Sequence, residues 1–139
     1  MQVKVRAVIW HGECIVVAHE SRRGRPHRSL PGGRPKPGEH LLDALAREVL
    51  EETGLHIHAG RLLYVAETVS GHSIQDLNLV FAAGTADPID PRSTVLVDPR
   101  VPSDPPVLPP ILDAIATDAP GPAHTRWLGN VWQSLQAVA

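Results

Sequence analysis

Val3, Val5, Ala7 and Ile9 fall on one face of residues 2 to 10, the period-2 pattern of a strand with a buried side. His11-Gly12-Glu13 is a turn, and the run from Cys14 to Ala18 is rich in β-branched residues, so residues 2 to 20 predict a hairpin. Residues 21 to 28 carry Gly and Pro punctuation and read as a loop. Leu30-Pro31-Gly32-Gly33 follows, a backbone able to bend sharply. From His40 to Thr53 the period changes to 3.6: Leu41, Leu42, Leu45, Val49 and Leu50 stand at i, i+3, i+4 spacing, and Gly54 is a natural stop. Residues 61 to 69 and 76 to 83 are β-rich and flank Ser70-Gly71-His72-Ser73, which predicts a second hairpin-like pair. Thr94 to Val97 reads as a short strand within a Pro/Asp-rich stretch, 85 to 110, that covers the domain as a loop. A short helix is expected from Pro109 or Pro110 through Ile111, Leu112 and Ile115. From Trp127 onward, Leu128, Val131, Trp132 and Leu135 share one helical side.

Composition bounds the answer. The 139 residues make one domain, 1 to 139, able to build its own core. The charge is −2, which gives no bulk reason to expect nucleic acid as a partner. No apolar run approaches a membrane span, and MQVKVRAVIW lacks a signal-peptide core. Cys14, alone in the chain, excludes an internal disulfide and a Cys-rich zinc site, so a cytoplasmic protein is expected.

The glutamates carry the chemistry. Glu48, Glu51 and Glu52 stand at i, i+3, i+4 and form one acidic stripe on the predicted helix, beside the apolar stripe of Leu41, Leu42, Leu45 and Val49. Crowded carboxylates repel, and a hard divalent cation relieves the repulsion. Oxygen donors without Cys or His at ligand spacing favour Mg²⁺ or Mn²⁺ over Zn²⁺. Arg47 sits one turn before Glu51 and can pair with it. A solvated charged face is the bland alternative for Glu-x-x-Glu-Glu alone.

The longer pattern decides against it. Gly33-x5-Glu39-x7-Arg47-Glu48-Val49-x-Glu51-Glu52-x-Gly54-Leu55 matches the Nudix box at every position. The chain therefore resembles the Nudix hydrolase family, and Leu30-Pro31-Gly32-Gly33 extends the likeness. The resemblance implies an α/β/α sandwich around a mixed sheet, with the box as loop, helix, loop. It implies attack by water on a diphosphate that links a nucleoside to another group X. Glu48, Glu51 and Glu52 match the family's metal-binding and catalytic carboxylates, with a carbonyl of Gly32 or Gly33 as a further ligand. Arg47 matches the residue that orients them, and Glu39 is a box glutamate of variable role. The general base stays open between Glu48, Glu51 and a residue outside the box. Markers of particular substrate classes, a Pro or Tyr some 16 to 18 residues past the box, are absent at Gly71-His72-Ser73, so no X is named.

Other signals are weaker. Arg22, Arg23, Arg25 and Arg28, with His27, lie just before the Gly-Gly turn and could hold the far phosphate or a sugar acid. Glu67 reads as the outward face of a strand rather than an extra ligand, and His72 and Asp76 as residues that shape a turn. Trp10, Tyr64, Phe81, Trp127 and Trp132 read as core, and Cys14 as a small buried hydrophobe. The expected partner is a small nucleoside diphosphate derivative; exposed strand edges or the Trp127 and Trp132 pair would supply a homodimer contact. Two other activities fit the same box: a nucleoside triphosphatase releasing pyrophosphate, and nucleic-acid decapping. From a different class comes a non-catalytic nucleotide sensor on the same fold.

Overall fold

The computed structural model describes residues 1–22, 25–69 and 75–132, and the backbone alone of residues 21, 22 and 25. Five strands come first: β1 (Gln2–Val8), β2 (Trp10–His11), β3 (Cys14–Arg22), β4 (Arg25–Ser29) and β5 (Gly32–Gly33). They are followed by α1 (Leu41–Thr53) and the long strands β6 (His58–Val69) and β7 (Gln75–Gly84). β8 (Val95–Val97), β9 (Val107–Leu108), α2 (Leu112–Asp118) and β10 (Arg126–Asn130) complete the described chain. None of the described helices is long and apolar enough to cross a membrane.

The strands form two sheets. The first runs β10-β6-β7-β1-β5 and is mixed. β1 is parallel to β7 and antiparallel to β5, β6 and β7 are antiparallel, and β10 is parallel to β6. The second runs β2-β3-β4-β9, with β8 added to β3. β1 is buried on both faces. On one side Val5 and Ala7 join Val16, Ala44, Leu45 and Val49 beneath α1. On the other, Val8 joins Ile15, Val17, Tyr64, Val80 and Ile115 of α2. A helix on each side of a mixed sheet gives the expected α/β/α sandwich.

Four expectations need correction. Residues 2 to 20 are not one hairpin: β2 alone pairs with β3, through Trp10↔Ile15 and His11↔Cys14, while β1 lies in the other sheet. Alternation cannot separate a hairpin arm from a central strand whose polar side faces a second core or a pocket. Residues 21 to 28 are not a loop throughout, because β3 and β4 pair from Ala18↔Ser29 out to Arg22↔Arg25. Pro26 is tolerated there near the start of a short strand. The tail from Trp127 is not helical at its start. Residues 126 to 130 form β10, which bulges between Trp127 and Gly129, where Gly129 adopts φ 71°. Trp127 is 63% exposed instead of core; Leu135 lies outside the described residues. Finally, the buried face of α1 is Ala44, Leu45 and Val49, while Leu41, Leu42 and Leu50 stay exposed. The small Ala44 lets the helix approach the sheet closely along that narrow line.

Other expectations match. α1 ends at Gly54, whose φ of 76° and N–H bond to the Leu50 carbonyl make a left-handed cap. The expected short strand is β8, paired with β3, whereas β9, paired with β4, is a strand where the Pro/Asp-rich stretch predicted loop. The turn containing His72 lies outside the described residues.

Candidate active site

The two residues of β5 set the position of everything else. Arg6↔Gly32 and Val5↔Gly33 register β5 against β1, and the Ala7 N–H donates to the Pro31 carbonyl at 2.8 Å. Gly32 takes φ +145°, and a Cβ there would stand 1.9 Å from the Val5 carbonyl oxygen, so only glycine fits. With no side chain in the way, its N–H donates to Glu52 Oε2 at 3.1 Å. Gly33 likewise leaves room for the Glu48 carboxylate, whose carbon lies 2.6 Å from where its Cβ would be. The glycine pair is a cradle for two box carboxylates.

Arg47 organises the acids. Its Nε and Nη2 each donate to Glu39 at 2.8 Å in a two-pronged pair. Nη1 donates to Glu48 at 3.0 Å and at 3.4 Å to Glu51, and Nη2 also reaches the Arg34 carbonyl at 3.3 Å. Glu39 is fixed in turn by the Lys36 N–H at 2.9 Å. The Arg47 hydrogen bond, with that N–H, holds the Glu39 carboxyl down at about 2. Its hydrogen bonds to Glu39, and then to Glu48 and Glu51, raise Arg47, so its charge is permanent. The expected Arg47–Glu51 pair is thus the longest contact of the set, and Glu51 is more than half exposed.

Glu52 differs from the others. Burial pushes its carboxyl up to about 7, and the nearby charges of Glu20 and Glu48 push the same way. The Gly32 N–H and Arg6 oppose them. Among the described residues no three carboxylate, His or Cys side chains already converge as a metal cage. Glu48 and Glu52 lie against the glycine cradle, while Glu51 faces Arg47.

A cavity of about 250 Å³ adjoins this cluster. Arg34, whose carbonyl meets Arg47, lines it, as do Arg6 and Glu20, whose charges act on Glu52. Arg6 is buried, donates to the Leu30 carbonyl at 2.9 Å and stands 3.8 Å from Glu20. Glu20 also meets His27 at 3.1 Å. Lys4 pairs with Asp76 at 3.1 Å, and burial, then Arg6, lowers the Lys4 ammonium below its usual range. Asn78 donates to the Ala66 carbonyl at 3.2 Å.

Lys4, Arg6, Glu20 and Asn78 join the site although no sequence motif singles them out. For Lys4 and Arg6 the only signal is a polar alternation on β1, which looks like a solvent face; Glu20 on β3 and Asn78 on β7 carry none. Asp76 does not shape a turn: it is buried within β7, opposite Gln2. Glu67 accepts a hydrogen bond from Gln75 at 2.7 Å on the β6–β7 ladder. Of the basic residues, Arg23 lies outside the described residues, and Arg22 and Arg25 end the β3–β4 ladder. Arg28 donates to Ser103 at 3.4 Å on the proline-rich stretch.

Known proteins resemble this chain in sequence and in fold. Human 8-oxo-dGDP phosphatase NUDT18 is 44% identical over 55 residues, which span 40% of this chain and 17% of that protein. The chain covers at most about half the length of the curated relatives that it matches. Among solved structures, a UDP-X diphosphatase is 27% identical with a TM-score of 0.55, covering 69% of this chain and 49% of that one. A NUDIX hydrolase from Nitrosomonas europaea shares the fold, with a TM-score of 0.70 at 20% identity, over 93% of this chain and 79% of its own. The NUDIX domain model matches residues 1–94, more than half of the chain and all of the glycine cradle, the box and β1 to β7. The chain belongs to the Nudix family.

Proposed function

We propose that this protein is a metal-dependent pyrophosphohydrolase that cleaves the diphosphate of a nucleoside diphosphate linked to another group X. The observation that carries this reading is the bonding of Arg47. One guanidinium on α1 ties Glu39 of the preceding loop to Glu48 and Glu51 of the helix, and the same helix presents Glu52 to the glycine cradle. A purely structural helix gains nothing from four acids and one arginine so arranged.

The donor set fits a hard divalent cation, Mg²⁺ or Mn²⁺. The donors are all oxygens, and the Gly33 cradle would be filled by any Cβ. The Glu52 carboxyl, raised by burial and by like charge, is the group a nearby cation would relieve most. Glu48, Glu51 and Glu52 would hold the ion, together with a carbonyl of Gly32 or Gly33. When bound, such an ion screens the diphosphate charge and acidifies a water. The chain's own residues do the rest. Arg47 fixes the orientation of Glu48 and Glu51, and Glu39 locks Arg47 in place. Glu48, Glu51 or a residue outside the box would take the proton from the attacking water.

The β3–β4 hairpin would contribute to the substrate's far end. Glu20 and His27 on it line the cavity. Arg22, Arg23 and Arg25, with Arg28 beside Ser103, would offer guanidinium forks to a phosphate or sugar acid. The named activities of relatives support a diphosphate ester as the common target: 8-oxo-dGDP in one, UDP-X in another.

The test is turnover with Mg²⁺ or Mn²⁺ over nucleoside diphosphate sugars, ADP-ribose, dinucleotides and nucleoside triphosphates, with products identified by mass. Metal-dependent cleavage into two phosphate esters, lost in Glu52→Gln, supports the proposal. Release of pyrophosphate from triphosphates alone moves the activity to a nucleoside triphosphatase. No cleavage by folded, metal-supplied protein that still binds these nucleotides would make it a sensor.

A further inference from the structure

The charges that line the cavity beside the box do not balance. Lys4, Arg6 and Arg34 line it together with Glu20 and Asp76, three cations against two carboxylates. Asp76 answers Lys4 at 3.1 Å, and Glu20 lies 3.8 Å from Arg6. Arg34 is the cation left over. Its side chain is exposed and makes no hydrogen bond or ion pair among the described residues; only its backbone carbonyl is engaged, by Arg47 at 3.3 Å. Its charge still acts on the cavity. Burial first, then Arg6 and more weakly Arg34, lower the Lys4 ammonium below its usual range, so the Arg34 guanidinium stands close to Lys4. Like charges gathered on one partly enclosed wall repel, and an anion relieves them. The place of Arg34 is fixed by its neighbour: it directly follows Gly33 of the cradle that seats Glu48.

We propose that Arg34 is a specificity-determining residue that selects substrates whose group X carries an oxyanion of its own, a carboxylate or a further phosphate. The inference rests on the proposed nucleoside diphosphate substrate and deepens it. The ion proposed at the box answers the charge of the diphosphate, which leaves the Arg34 charge for another group. A guanidinium offers parallel N–H donors to the paired oxygens of a carboxylate or phosphate, a fit that a neutral hydroxyl does not match. Lys4 and Arg6 are committed, to Asp76 and to the Leu30 carbonyl, so they add positive field while the exposed Arg34 makes the contact. The excess charge thus sits on the one cation of the three that a ligand reaches without displacing an internal partner.

Binding can be measured apart from hydrolysis, with two matched pairs of ligands. A nucleoside diphosphate hexose and the corresponding hexuronate differ by one carboxylate; a nucleoside diphosphate and its triphosphate differ by one phosphate. Each is titrated calorimetrically into chelator-treated wild type, Arg34→Gln, Arg34→Lys and Arg92→Gln. Arg92, whose side chain is 90% exposed and which does not line the cavity, controls for bulk charge. Wild type should bind the more anionic member of at least one pair about tenfold more tightly or better. A preference for the hexuronate identifies a carboxylate, and one for the triphosphate identifies a phosphate. Arg34→Gln should lose the preference, and Arg34→Lys should keep part of it, because the charge stays while the fork is gone. Arg92→Gln should keep it in full. The Arg47 contact is made by the backbone of residue 34, so Arg34→Gln leaves the acid cluster's bonds in place, and a melting curve checks the fold. No preference in either pair by wild type, a preference that survives in folded Arg34→Gln, or an equal loss in Arg92→Gln overturns the assignment. Turnover of the same proteins with metal separates the two proposals. Arg34-dependent selection without cleavage of any ligand refutes the hydrolase and keeps the oxyanion site. Cleavage without selection does the reverse.

Discussion

The carboxyl carbon of Glu48 lies 2.6 Å from the point that a Cβ on Gly33 would occupy. Gly33 is thus small because a box carboxylate stands where its side chain would be, not because its backbone demands glycine. Gly33→Ala should leave stability within about 1 kcal/mol of wild type, since the obstruction is the movable end of a side chain. Activity should fall about 10- to 100-fold as Glu48 is pushed aside. A melting curve and a kcat/KM measurement on one preparation check both. Wild-type turnover would show that the position of Glu48 does not matter.

Gly32, one residue earlier, should behave in the opposite way. Its Cβ would meet backbone, 1.9 Å from the Val5 carbonyl oxygen, at φ +145°. Backbone on the central strand β1 cannot give way cheaply. Gly32→Ala should cost about 3 kcal/mol or more, visible as a large drop in denaturation midpoint. The contrast between adjacent glycines is the prediction: one controls function, the other the fold.

Short-range spacing makes α1, its Gly54 stop, the β6–β7 pair and the acidic stripe legible in the amino-acid sequence, because each depends on residues close together along the chain. The bonding of Arg47 is legible only in part. Spacing along a helix offers Glu51, whereas the loop that folds back brings Glu39 closer, at 2.8 Å. Asp76, Lys4 and Arg6 are not legible, because a polar stripe on a strand looks the same whether it meets water or a covered cavity. The partner of β1 in the sheet, β7, lies some seventy residues away, and no local pattern announces a parallel pairing of that span.

Arg47 and Glu39 should act as one unit. Arg47→Ala leaves Glu39, Glu48 and Glu51 without their shared cation, and activity should drop about 100-fold or more. Glu39→Gln frees Arg47 from its two 2.8 Å contacts and should cost less, because Glu48 and Glu51 still hold the guanidinium. The double variant should lose no more than Arg47→Ala alone. A double-mutant cycle in kcat/KM reads this directly. Fully additive losses would mean that Glu39 works through something other than Arg47.

Glu52 gives a prediction in pH. Its carboxyl titrates near 4.5 when unfolded and at about 7 when folded, chiefly because burial disfavours the charge. Between those values the folded protein holds the proton that the unfolded chain has released. Chelator-treated protein should therefore lose stability as pH rises from about 4.5 to 7, then level off. The loss is at most about 3 kcal/mol from the shift alone, and about 1–2 kcal/mol once solvent screening of a half-buried carboxylate is allowed for. Glu52→Gln cannot ionise, so its stability advantage over wild type should be absent at pH 4 and grow to that size at pH 8. Mg²⁺ or Mn²⁺ should restore wild type at pH 8 and leave the variant nearly unmoved, because only a carboxylate gains from the cation. Paired melting curves across this range, with and without metal, measure each effect. A difference between the two proteins that does not change with pH would remove Glu52 as the ionising group, and an equal response to metal would remove it as a ligand.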